Sequence, residues 1–346
     1  MTVYRLNPLE DPRWTGFVQR QPLASVFHST GWLKALHRTY RYEPIAYTTS
    51  PPTAELVNAV VLCRVNSWLT GRRMVSLPFA DHCEPLVERH EDREAIFQAL
   101  QESFDSGTWK SIEMRPRSSD IPAAPGLRVS GCYFQHTLDL RHSREELFRA
   151  FHKDCIQRKI RRAGREALSY HEGRSEKLLD QFYRLFLQTR RRHRLPPQPI
   201  DWFRNLIACM GDRLTISVVS QNGRPVGSIM TLRHADALVY KYGGSDARFH
   251  HLGTMPFLFW TMMQNAKDCG IREIDLGRSN YDDTGLMTFK ERLGGARSIS
   301  VYRKYSASSD GRETERHLIR AAGRLFDRLP DRALVAAGKL LYRHVG

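Results

Sequence analysis

Cysteine is scarce in this sequence and never clustered. Its six copies, Cys63, Cys83, Cys132, Cys155, Cys209 and Cys269, form no CxxC pair, which gives neither a thiolate zinc site nor a disulfide framework. Long apolar runs are absent too: no window approaches the roughly 18 consecutive apolar residues of a membrane span. Arg5, Glu10 and Asp11 interrupt the opening stretch where an export signal needs an apolar run, so the expected location is the cytoplasm. Without a GxSxG, HExxH or Walker loop, the hydrolase, metalloprotease and P-loop classes lose their usual support. Asp81-His82-Cys83 and His250-His251 do not make a metal site either, because neighbours on extended backbone point to opposite faces. The expectation is no metal and no tightly bound cofactor.

Negative charge is also in short supply. Against 37 Asp+Glu stand 53 Lys+Arg, a formal net charge of +16 over 346 residues. Single cores stop growing at roughly 250–300 residues, so two domains are expected. Apolar spacing predicts a helix over 29–40, strands over 42–49, 57–65 and 72–77, a helix over 91–104 and strands over 110–114 and 133–140. Ser143 with Glu146 reads as a capping box that opens a helix running to Ala167 and a second domain. Helices around Leu178–Phe186 and Trp202–Met210 follow. An Asn222-Gly223 turn then organises a meander over 214–242, and a helix over 252–269, a strand over 271–276, a polar loop over 277–284, a helical turn over 286–293 and a strand over 299–305 complete the pattern. The fold class is α/β (α+β), with domains over 1–142 and 143–310 and a basic tail over 311–346.

Cations cluster in three places. Arg158, Lys159, Arg161 and Arg162 share one predicted helix, and Arg190–Arg194 end the next. Either is a polyanion-binding face, for tRNA, an anionic lipid head or a nucleotide-sugar, or a solvated helix surface. The stretch from Glu313 to Val345 interleaves leucines with arginines. It reads as a peripheral contact with anionic membrane or as helices packed on the second domain.

The segment Ile274-Asp275-Leu276-Gly277-Arg278-Ser279, followed by Gly285-Leu286-Met287-Thr288-Phe289-Lys290 and Gly294, resembles the second domain of the FemABX-like peptidyltransferases. These belong to the GNAT-like acyltransferase superfamily. Phe27-His28-Ser29-Thr30-Gly31-Trp32, Ser76-Leu77-Pro78-Phe79-Ala80-Asp81-His82 and the basic helix with Arg158, Lys159 and Arg162 are similar to further parts of FemAB-like proteins, so the resemblance spans most of residues 20–305. It implies tandem GNAT-like domains, each a mixed, largely antiparallel sheet flanked by helices. It also implies transfer of an aminoacyl or acyl group to an amine of a cell-envelope precursor, with aminoacyl-tRNA or acyl-CoA as donor.

The resemblance implicates Phe289 and Lys290 in catalysis, and a cation near a developing oxyanion is a plausible stabiliser. Asp275 either orients the acceptor amine or pairs with Arg278. His28 and Trp32 either line an acceptor site or pack in a core. Asp81, His82, Tyr242 and Arg248 complete the substrate-binding set. In Arg248-Phe249-His250-His251-Leu252-Gly253, His251 stands where a coenzyme-A loop carries its first glycine, which disfavours acetyl-CoA. Two other functions stay open: a CoA-dependent acetyltransferase, and a non-catalytic RNA- or membrane-surface-binding module.

Overall fold

The computed structural model describes residues 1–117, 125–166, 168–307 and 329–344. Among the described residues, 1–133, 299–307 and 339–344 form one compact unit, and 134–298 with 329–338 form a second. The chain passes between units after Tyr133, within a strand, and not at Ser143. Both units are discontinuous in sequence, which a linear scan for linkers does not detect.

In the first unit, β1 (Tyr4–Leu6), β2 (Glu43–Thr48), β3 (Val60–Ser67) and β4 (Gly71–Val75) pair antiparallel in that order. β5 (Ser111–Met114) then lies parallel to β4, and β12 (Ala296–Ser306) pairs antiparallel with β5 through Arg303–Ser306. Helices α1 (Arg13–Arg20) and α2 (Thr30–Tyr40) connect β1 to β2, and α3 (His90–Asp105) makes the crossover that a parallel step requires. Leu62, Met74, Ile96, Leu100 and Ile112 form its core.

The second unit repeats that succession. β7 (Leu168–Gly173), β8 (Leu214–Gln221), β9 (Arg224–His234) and β10 (Ala237–Ser245) run antiparallel. β11 (Glu273–Ser279) is parallel to β10, and the far half of β6 (Arg128–Asp139) pairs antiparallel with β11. Again two helices, α6 (Glu176–Arg192) and α7 (Ile200–Met210), join the first two strands, and one, α8 (Thr254–Asp268), crosses the parallel step. Leu138, Ile229, Phe259, Ile274 and Leu276 are buried between sheet and helix.

The capping box forms as its residues predict, with Ser143 Oγ accepting from the Glu146 amide and Glu146 returning to the Ser143 amide. The helix it opens is shorter than predicted. α4 (Arg144–Ala150) stops at Phe151, His152 caps a π-type turn over Lys153–Gln157, and α5 (Arg158–Ala163) follows. The basic tail lies mostly outside the described residues. Its described part contains α10 (Asp331–Tyr342). Among the described residues no helix is long and apolar enough to cross a membrane.

Candidate active site

The parallel pairing in the second unit is brief. β10 meets β11 only over Ala237–Val239, a register shift follows between Tyr240 and Tyr242, and Gly243–Ser245 continue along β9 alone. Beyond that point the unit holds a cavity of about 390 Å³. Strand ends beside a parallel pair are where α/β sheets present functional groups. Ile156, Tyr240, Met255, Leu286 and Phe289 supply its apolar surface, while Lys159, Arg192, His250 and Arg292 supply its polar one. Phe289 projects there from α9 (Thr284–Arg292), whose N-cap is Asp283.

Local sequence explains why these groups converge. Ser175 caps α6 by accepting from the Leu178 amide, Leu178, Leu179, Phe182 and Phe186 bury one helix face, and Arg190–Arg192 fall in the last turn, where the helix dipole favours cations. Arg192 is fixed by donating to the Ser245 carbonyl at 3.1 Å. Ser245 Oγ lies 2.9 Å from His250 Nε2, and Thr189 Oγ1 accepts from the Ser245 amide at 2.9 Å. Burial, then the neighbouring Arg192 and Lys159, push the His250 pKa below its ordinary value, which keeps the imidazole neutral near pH 7. Ahead of α8, Gly253 adopts φ +78°, and a side chain on it would meet the Lys159 carbonyl at 2.4 Å. Glycine there lets α5 and the start of α8 approach closely.

A buried polar network surrounds Asp275 and Lys290. Asp275 Oδ1 accepts from Gln135 Nε2 at 2.5 Å and from the Gly277 amide at 2.7 Å. Lys290 is buried, and its Nζ donates to the Gly277 carbonyl at 2.7 Å, the Ser279 hydroxyl at 2.9 Å and the Arg278 carbonyl at 3.1 Å. An ammonium has three donors, and three protein acceptors surround this one. The cation thus ties α9 to the Gly277–Ser279 segment through two backbone carbonyls and one side-chain hydroxyl. Beside it lies His136, fully buried, with Nε2 3.8 Å from Glu291 and a pKa lowered first by burial and next by Lys290.

The remaining sequence-predicted residues divide clearly. Lys159 and Phe289 line the cavity. Arg158, Arg161 and Arg162 are exposed on α5, with Arg161 lying 5.4 Å over the Phe148 ring and Arg162 pairing with Glu166 at 3.2 Å. Arg248 is tied to Asp246 at 2.7 Å. Tyr242 is an interior anchor, its hydroxyl accepting from Trp202 Nε1 at 2.9 Å and Gln198 Nε2 at 3.2 Å. In the first unit, His28 is fully buried: Nδ1 accepts from the Ser25 amide at 3.0 Å and Nε2 donates to the Glu84 carbonyl at 2.9 Å. Trp32 packs edge-on against Phe27 at 4.9 Å, and His82 does so at 5.4 Å. Asp81 offers its backbone carbonyl to the Tyr302 hydroxyl. His28, Trp32, His82 and Tyr242 are all buried, which for His28 and Trp32 agrees with the core alternative.

Gln135, His136 and Arg292 belong to none of the motifs legible in the sequence. The available signal was Gln135-His136, two adjacent polar residues that are both buried in β6. It passed unremarked because the carboxylate that satisfies Gln135 lies 140 residues away.

A sheet that parts beside its parallel pair, a crossover helix starting at the opening and a cavity there make up a GNAT-like fold. A family model described as an acetyltransferase (GNAT) domain matches residues 150–291. The UDP-N-acetylmuramoylpentapeptide-lysine N(6)-alanyltransferase of Weissella viridescens is 28% identical over 334 residues, covering 84% of this chain and 91% of that protein. Among solved structures, FemX superposes with a TM-score of 0.69 at 14% identity, covering 92% of this chain and all of that one. A tandem GNAT protein from the clavulanic acid biosynthesis pathway gives 0.54 at 13%, covering 89% and 98%. The chain is an acyltransferase with a GNAT domain over residues 150–291, and along most of its length it is similar to the FemAB-like N-acyltransferases.

Proposed function

We propose that this enzyme transfers an aminoacyl group from the 3′ end of a charged tRNA to an amine of a peptidoglycan precursor, on the cytoplasmic side of the membrane. The observation that carries this reading is the cavity itself. Its apolar wall of Tyr240, Met255, Leu286 and Phe289 suits an acyl side chain, while Lys159, Arg192 and Arg292 supply cations for the phosphates that accompany a nucleotide-borne ester. The acceptor is inferred from the activity named for the Weissella viridescens relative.

In the reaction the acceptor amine attacks the ester carbonyl. The new C–N bond forms, the C–O bond to the tRNA ribose breaks, and the amine's proton leaves with the freed hydroxyl. Phe289 excludes water from the ester, and Lys290 with Asp275 holds the Gly277–Ser279 backbone in place. The exposed cations of α5, Arg158, Arg161 and Arg162, extend the polyanion-binding surface from Lys159. The test is transfer of label from aminoacylated tRNA to a UDP-linked muramoylpentapeptide, with uncharged tRNA and acetyl-CoA as competing ligands. Competition by uncharged tRNA alone supports the reading.

A CoA-dependent acetyltransferase is the second reading, favoured by the family match over 150–291. Against it stands the segment before α8. Ala247–Leu252 form a tight turn capped by Asp246, and His251 occupies the position where a pyrophosphate loop carries glycine.

A further inference from the structure

The tip of the β3–β4 hairpin presents two large apolar side chains to solvent. Trp68 is 80% exposed and Leu69 52%. The tip is not loose. Ser67 Oγ accepts from the Leu69 amide at 3.1 Å and the Thr70 amide at 2.9 Å, and Gly71 closes the turn at φ +82°. Chain-terminal residues brace it: Ser67 Oγ lies 2.9 Å from His344 Nδ1, and the His344 carbonyl accepts from Thr70 Oγ1 at 2.8 Å and Arg73 Nη2 at 2.9 Å. The His344 ring packs edge-on against Trp68 at 5.3 Å. Four residues before His344, and so on the same face of its turn, Leu340 is 59% exposed. Arg72, Lys110, Lys339 and Arg343 surround this tip and are exposed.

We infer that this tip is a membrane-surface anchor that inserts Trp68, Leu69 and Leu340 into the headgroup region of an anionic bilayer while the surrounding cations bind lipid phosphates. An indole with one apolar and one polar side suits that depth, and juxtaposed cations add attraction to anionic lipid. The charge of the chain, +16, has the matching sign. A second copy is the poorer occupant. A tryptophan buries at most roughly 250 Å², so the three side chains together offer on the order of 400 Å², about half of the ~800 Å² that each partner contributes to a standard interface. The inference is independent of the donor and acceptor proposed above.

The test is co-sedimentation of the full chain with vesicles of phosphatidylcholine alone or containing about 30% phosphatidylglycerol, at about 0.1 M salt where surface charges are only partly screened. Binding to the anionic vesicles only is expected, with Trp68→Ser/Leu69→Ser lowering partitioning about tenfold or more and Arg343→Gln lowering it about fivefold. A second readout needs no variant. Trp14, Trp32, Trp109 and Trp202 are buried and Trp260 is half-buried, so bilayers brominated in the acyl chains should quench Trp68 selectively, and Trp68→Phe should abolish that quenching while leaving binding in place. Absence of vesicle binding, or binding that the double substitution leaves unchanged, overturns the inference. So does a dimer in solution that Trp68→Ser/Leu69→Ser dissociates.

Discussion

Gln135 and Asp275 meet at 2.5 Å between β6 and β11, 140 residues apart in sequence and both buried. The same Asp275 oxygen accepts from the Gly277 amide, so one carboxylate ties the strand pairing to the turn at Gly277. Asp275→Ala strands a buried amide and a buried side-chain donor, which should cost about 2–4 kcal/mol. Urea titration checks this. Asp275→Asn should recover part of the loss, since it keeps an acceptor.

Lys290 links α9 to the Gly277–Ser279 segment through the Gly277 and Arg278 carbonyls and the Ser279 hydroxyl. Replacing it with methionine keeps the length of the side chain and leaves those acceptors without their donor. The expected outcome is a loss of roughly 2–4 kcal/mol in folding stability together with lower kcat. A direct oxyanion donor would behave differently, with kcat falling while the unfolding midpoint stays put.

Arg192 and Lys159 are cavity cations held away from the Lys290 network. Arg192→Ala and Lys159→Ala should each raise the donor's KM about ten- to a hundredfold, the value of a charge-assisted hydrogen bond, with kcat largely kept. Steady-state kinetics in donor concentration at two salt levels separates the effects, because phosphate contacts weaken with salt.

Folding stability should fall on acidification from pH 7.5 to 5.5. His136 and His250 titrate below their ordinary value in the folded chain, chiefly because burial disfavours their charged forms. The unfolded chain therefore binds the proton first as pH drops through about 6.5, and stability is lost in that window. Thermal melts across it should show a downward trend in midpoint, and His136→Gln should flatten part of that trend.

How legible this was depended on whether the partner of each residue was local. The Ser143–Glu146 cap, the Asn222-Gly223 hairpin and the strands from 43 to 75 each follow from a short stretch of chain, and the structure has them. Of the motif at 274–290, Gly285, Leu286 and Phe289 line the cavity. The surroundings of the motif's polar groups depended on geometry beyond one turn: Lys290 donates to two carbonyls and a hydroxyl 11 to 13 residues away, and Asp275 accepts from β6 as well as from Gly277. For His28 and Trp32 a substrate-lining role and a core role both stayed open in the sequence, because polar and aromatic groups serve cores and clefts equally well. Only burial separates the two. β7 was hidden for another reason: its residues, Leu168–Gly173, are half exposed and carry little apolar alternation. The expectations on 308–328 lie outside the described residues.

The central claim is that the cavity beside Tyr240 and Phe289 receives a tRNA-borne acyl ester. The most direct measurement is single-turnover transfer of label from a mixed pool of aminoacylated tRNAs to the proposed precursor, comparing the native chain with Phe289→Ala and Arg192→Ala. Label should appear on the acceptor amine with the native chain, and both variants should transfer it more slowly. Acetylation from acetyl-CoA with no transfer from any charged tRNA would contradict the account.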